Sequence, residues 1–208
     1  MKLINLLNDK KMFKNNDIFI NDKNLNMFLT YEELLTKWNK IHNLISKNAI
    51  SNLLTHHFLD SLSILPFLPN SKILDVGSGA GFPGCPIAIA SPGLSVFLIE
   101  KNKKKLSFLY ELKNKLNLEN LSIIDSDVKN FSPEKKFKVI VSRAFACLEE
   151  FYSSTKHICS KNGSLYAMKG KINNNEIKEV SVNIKEIIKL KVPYLKESRH
   201  LIVIKNRT

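Results

Sequence analysis

Arginine is nearly missing from this chain: Arg143, Arg199 and Arg207 stand against 29 lysines and 23 asparagines. That imbalance is a drift toward Lys and Asn across the whole sequence, and drift adds positive charge everywhere without building a site. The net charge of +13 is therefore a weaker sign of a nucleic-acid surface than its size suggests, though the surplus over 19 acids still favours a polyanionic partner. The three arginines that survive the drift gain interest for the same reason. Cysteine is also scarce. Cys85, Cys147 and Cys159 form no C-x-x-C pair, which excludes a zinc ribbon or a disulfide framework and leaves buried free thiols as the expectation. A nucleophilic role for Cys147 against a pyrimidine ring is disfavoured, because Ala146 precedes it where enzymes of that kind carry proline. No apolar run approaches the roughly 18 residues of a membrane span, and residues 1–13 lack a signal-peptide core. A cytoplasmic protein with no membrane partner, acting as a monomer, is expected.

What the chain does have is one concentrated glycine segment, Ile73-Leu-Asp-Val-Gly-Ser-Gly-Ala-Gly-Phe-Pro-Gly-Cys-Pro86. It reads as a short strand ending in Asp75, a tight turn through Gly77, Gly79, Gly81 and Gly84, and a helix with Pro86 in its first turn. This is the opening of a nucleotide-binding βαβ unit. Gly79, Gly81 and Gly84 satisfy the dinucleotide spacing G-x-G-x-x-G, which keeps an NAD(P)-dependent oxidoreductase as an alternative. A carboxylate at Asp75 would repel a pyrophosphate and suits a ligand with ammonium and sulfonium groups, which favours S-adenosylmethionine (SAM).

Before this unit, Thr30 with Glu33 reads as a capping box, followed by Leu34, Leu35, Trp38, Ile41, Leu44 and Ile45 at helical spacing as far as Ser46. A second helix is predicted over 51–65, ending at Pro66 and Pro69; His56, His57 and Asp60 fall within one turn of it, placed for a polar contact on the core or on RNA better than for a metal. One or two short helices are expected within 1–29. Residues 1–70 form an α-helical N-terminal extension and 71–208 the SAM-binding core. In that core, strands are predicted at 72–76, 95–100, 121–125, 137–142 and 164–169, with helices near 85–91, 103–117, 147–160 and 174–181. A C-terminal hairpin, 184–192 and 201–205, brings the strands to seven. The expected fold is α/β, a Rossmann-like, mostly parallel seven-stranded sheet of the class I SAM-dependent methyltransferase type.

Functional candidates follow from the strand ends. Glu100, 23 residues past Gly77, closes strand two and can accept hydrogen bonds from a ribose diol. The turn 125–131 after strand three lies over an adenine pocket. Arg143, after strand four, can hold the cofactor's carboxylate or an RNA phosphate. The tetrapeptide [DN]-P-P-[YF], common at that edge in enzymes that methylate amino groups, is absent.

Asp75–Gly84, Val141-Ser-Arg-Ala-Phe-Ala146, Ala167-Met-Lys-Gly170 and Ser198–Lys205 together resemble the small-subunit ribosomal RNA guanine-N7 methyltransferase family, also called glucose-inhibited division protein B. Trp38–Leu44 and His57–Leu62 resemble its N-terminal helices. The resemblance implies a SAM site lined by Gly77 and Phe82, adenine contacts from Val128 and Lys129, and Arg143 completing the pocket; Gly79, in the same glycine turn, is a further cofactor-binding candidate. Lys129 departs from the glutamate usual there, which also keeps open a non-catalytic RNA-binding factor. The implied substrate is guanine N7 of 16S rRNA in the small ribosomal subunit; Lys169, Lys171, Arg199 and the Lys101–Lys105 run are candidates for RNA-phosphate contacts. No catalytic base is expected, since N7 attacks through a lone pair.

Overall fold

The computed structural model describes residues 20–207 apart from 144, 146, 181 and 182. Of the short helices expected within 1–29, any on residues 1–19 lies outside the described residues, and residues 22–29 belong instead to the long helix Asp22–His42. Five parallel strands, β1 (Ile73–Val76), β2 (Val96–Glu100), β3 (Leu121–Asp125), β4 (Phe137–Ser142) and β5 (Cys159–Lys169), are followed by β6 (Ile184–Leu190) and β7 (Arg199–Lys205). The sheet order is β3-β2-β1-β4-β5-β7-β6, with β7 antiparallel to both neighbours. The chain thus builds outward from β1 to β3, then restarts on the other side of β1 with β4. That reversal opens a crevice at the carboxyl ends of β1 and β4, where such sheets bind ligands.

Each face of the sheet carries its own apolar cluster. All four residues of β1 are buried, as a central parallel strand requires. On one face α4 (Gly84–Ala90) and α5 (Lys103–Leu116) pack together with α1 (Asp22–His42), whose Phe28, Tyr31 and Leu35 sit in the same cluster as Ile87, Leu98 and Leu109. On the other face α6 (Leu148–Thr155) puts Leu148 and Phe151 against Leu74, Ile140 and Leu165. No helix among the described residues is long and apolar enough to cross a membrane.

The departures from sequence expectation have local causes. The helix expected from Thr30 starts eight residues earlier. Asn21 and Asn24 form a reciprocal capping box (2.8 and 3.3 Å), whereas the Thr30 hydroxyl donates back to the Asn26 carbonyl inside the helix. The helix predicted over 51–65 is broken into α2 (Lys47–Ser51), a π-helical turn (Leu54–Leu59), a short α3 (Asp60–Leu62) and a 3-10 turn (Leu65–Phe67). Residues 164–169 belong to a longer β5 that begins at Cys159, and α6 is shorter than expected, capped by the Cys147 sulfur. The remaining predicted strands lie within two residues of the observed ones.

Candidate functional site

The glycine turn is held by accounted hydrogen bonds. Gly77 N–H donates to the Ile99 carbonyl (3.0 Å), Gly79 N–H to Glu100 Oε2 (2.9 Å), Gly81 N–H to the Ser78 carbonyl (2.8 Å) and Gly84 N–H to Asp75 Oδ2 (2.9 Å). A side chain on Gly77 would meet nothing within 4 Å, and its φ is +70°. The loop therefore offers a bare backbone edge to open space, the form of surface a ligand can approach closely.

That edge forms one wall of a cleft of about 170 Å³, lined by Val76, Gly77, Ile99, Glu100, Val128 and Phe145, with Lys101, Asp127, Lys129 and Glu150 around it. Four sequence-predicted residues, Gly77, Glu100, Val128 and Lys129, meet here. Glu100 is nearly buried, and its Oε1 accepts the Lys101 and Asn102 N–H groups at 2.9 Å each. With Gly79 on Oε2, one carboxylate fastens the glycine turn to the β2 end and still has capacity for a donor from a ligand. Asp127 accepts from Lys129 N–H (3.0 Å) and Lys101 Nζ (2.8 Å), so the turn after β3 is fixed in place.

Asp75 is a correction. It was expected to face a cationic ligand, but it is fully buried and caps the start of α4 through Gly84, with Oδ1 lacking a hydrogen-bond partner. Burial pushes its carboxyl up to about 7. A raised folded-state pKa means the fold binds a proton that the unfolded chain, titrating near 3.8, has already lost. This group's contribution to stability therefore falls as pH rises through that window, from about 4 to about 7. Urea midpoints measured across those pH values should show wild type losing ground against Asp75→Asn as pH rises; a constant difference would rule this out.

Beyond the end of β4 lies a second, larger cavity of about 540 Å³, which includes His56, His57, Asp60, Arg143, Arg199 and His200 in its lining. Arg143 opens here, while Phe145, two residues on, opens to the cleft. The Arg143 guanidinium donates to the His56 carbonyl (3.1 Å) and to His57 Nδ1 (2.6 Å), lies 3.5 Å from Asp60 Oδ2, and stands 4.8 Å over the Phe82 ring. Arg199 Nε approaches Asp60 Oδ1 from β7 at 3.3 Å. One buried carboxylate thus faces two arginines, leaving a positive surplus. Burial and the Arg143 charge push His57 down to about 3, so it is neutral near pH 7. Phe82 lines neither cavity; it is buried against Tyr31 and His57. Lys169 Nζ sits 2.6 Å from Glu176 and 3.3 Å from the Phe145 carbonyl, which ties it to the loop between the cavities.

Sequence reasoning saw His56, His57 and Asp60 together but missed that Arg143 and Arg199 converge on them. The excess survival of arginine in a lysine-rich chain was the one signal available. Tyr31 and Glu150 were missed altogether.

A family model described as rRNA small subunit methyltransferase G matches residues 24–202. A protein named ribosomal RNA small subunit methyltransferase G from Laribacter hongkongensis is 42% identical over 178 residues, covering 85% of this chain and 86% of the relative. One of the same name from Nitrosomonas europaea is 44% identical over 183 residues, covering 85% of each. Among solved structures, a SAM-dependent methyltransferase from Aquifex aeolicus superposes with a TM-score of 0.58 at 16% identity, over 81% of this chain and 98% of that one. TrmN from Thermus thermophilus gives 0.54 at 14% identity, over 73% and 53%. These distant structures bear on the fold alone. The dinucleotide reading of the glycine spacing is set aside, and the chain belongs to the rRNA small subunit methyltransferase G family.

Proposed function

We propose that this chain transfers a methyl group from SAM to N7 of a guanine in 16S rRNA of the small ribosomal subunit. The observation that carries the reading is the cleft at the β1/β4 reversal, where the Gly77 backbone edge faces open space beside the nearly buried Glu100 carboxylate. Those residues fit SAM: Glu100 for the ribose diol, the Val128 region for the adenine, Gly77 for close backbone approach, with Gly79 tying the turn to Glu100 from outside the lining. Lys129 is compatible with that fit. Its N–H is held by Asp127, and its ammonium is turned toward Glu150, 4.0 Å away at the rim.

When bound, the cofactor supplies an electrophilic methyl on a positively charged sulfur. The chain's own part is to place a guanine against it. Guanine N7 attacks through a lone pair, so no proton has to be removed, and positioning supplies the rate. The second cavity supports this reading, because its inner titratable groups are committed elsewhere: Asp60 faces two arginines, and His57 Nδ1 accepts from Arg143. Arg199 and the Arg143 surplus charge suit an RNA phosphate; Lys169, neutralised by Glu176, suits holding the Phe145 loop instead. The reading carries with it action as a monomer, and an rRNA substrate supports a cytoplasmic location.

The test is methyl transfer from labelled SAM to 16S rRNA or small subunits, with the product base mapped. Single-turnover rates should stay flat, within about twofold, across roughly pH 6 to 9, because no general base is used. A rising limb abolished by one substitution would overturn the base-free mechanism, and methylation elsewhere than guanine N7 would overturn the assignment.

A further inference from the structure

Tyr31 belongs to α1, outside the sheet that carries the cleft, and is completely buried. Its ring stacks on Phe82 with centroids 5.3 Å apart and planes within 7°, and it also touches Phe58 and Phe108. Hydrophobic packing accounts for the ring but not for the phenol oxygen, which must find a partner when buried. That partner is the carbonyl of Ala80, inside the glycine turn. A side chain on Gly81 would stand 2.6 Å from the Tyr31 hydroxyl, so the turn leaves room for it by having none.

From these contacts we infer that Tyr31 is a positioning residue for the cofactor, its hydroxyl selecting the orientation of the Ala80–Gly81 peptide. The inference rests on the methyltransferase reading of the cleft. Rotating that peptide by half a turn would carry the Gly81 φ of +95° to a negative value, and glycine tolerates either sign. Residue type at the turn therefore cannot choose between the two arrangements. The peptide is instead held at both ends: its N–H by the Ser78 carbonyl at 2.8 Å, its C=O by Tyr31. Gly77, three residues before Ala80 in the same short turn, lines the cleft, so a flipped peptide would shift the backbone edge presented to the ligand. An aromatic residue on the N-terminal helix thereby sets the shape of a binding loop some 50 positions later in the chain, at a sequence separation of 49.

Tyr31→Phe keeps the ring stack and removes only the oxygen. Titration with S-adenosylhomocysteine should give a dissociation constant raised about tenfold, with KM for SAM raised alike and kcat at saturating SAM within about twofold of wild type. Phe28→Leu, in the same aromatic core but without contact to the turn, is the control for general loosening: it should lower Tm at least as much while leaving cofactor affinity unchanged. Wild-type affinity in Tyr31→Phe overturns the inference. So does an equal loss of affinity in Phe28→Leu. Failure of the wild-type protein itself to bind S-adenosylhomocysteine overturns the methyltransferase reading beneath it, which is a separate and distinguishable result.

Discussion

Asp60→Ala should lower the stability of this fold by about 3 kcal/mol, read as a shift of the urea midpoint at unchanged slope. The carboxylate is 4% exposed at its side chain and stands 3.5 Å from Arg143 and 3.3 Å from Arg199. Removing it leaves two largely buried guanidinium groups facing each other with no carboxylate between them. Breaking a buried pair in this way typically costs roughly 3–5 kcal/mol, most of it the penalty for the charge left behind. The low end applies, because both arginines are 19% exposed and reach the large cavity, where solvent can screen them. Burial already lowers the Arg143 pKa despite its partners, so losing Asp60 removes the largest contribution that opposes that cost.

Distance alone would rank these pairs differently. Lys103–Asp125 and Lys101–Asp127 are shorter, at 2.6 and 2.8 Å, but their lysines are 78% and 72% exposed. Lys103→Ala should therefore change stability by less than about 1 kcal/mol. If Asp60→Ala and Lys103→Ala cost the same, the clamp of two arginines on one carboxylate is not what holds the helical segment to β4 and β7.

Much of the fold was legible because it is written in local patterns. Four glycines after an apolar strand, alternation of strands and amphipathic helices, and two closing apolar runs were enough for the seven-stranded sheet and its crevice. The cleft was legible too, since Glu100 and Val128 follow their strands directly and the topology brings strand ends together. What escaped depended on contacts between distant parts of the chain. Asp75 carries the right charge to meet a cationic ligand, but the helix start at Gly84 is nearer and takes it. Asp60 sits beside two histidines in sequence, yet its partners lie 83 and 139 positions away. Thr30 had the residues of a capping box; Asn21 and Asn24 had a better one, nine residues earlier in an asparagine-rich stretch. The π-helical turn across Leu54–Leu59 carries an ordinary helical pattern and left no mark in the periodicity.

The glycine turn allows a sharper experiment, since two of its members serve opposite ends. Gly77→Asp should abolish cofactor binding, raising the S-adenosylhomocysteine dissociation constant by more than about 100-fold, while the protein stays folded. Its cost to the fold is small: nothing lies within 4 Å of the new Cβ, and aspartate tolerates a φ of +70° at about 1 kcal/mol. Its cost to binding is large, because the new carboxylate enters the space the ligand must approach and faces Glu100 across the same cleft. Gly84→Ala should do the reverse. Its Cβ would fall 2.3 Å from Leu98 Cδ2 and 2.9 Å from Asp75 Oδ2, both in fully buried side chains that have nowhere to go. Overpacking of this kind costs about 1–3 kcal/mol, and the rigid strand beneath puts Gly84→Ala at the upper end. The fraction that remains folded should bind cofactor within about threefold of wild type, since Gly84 lines no part of the cleft. Calorimetric titration and urea melts on both variants decide the matter. A Gly77→Asp protein that binds normally would remove the cleft from the mechanism; a Gly84→Ala protein of full stability would show that the strand-to-helix contact has slack that the packing distances deny.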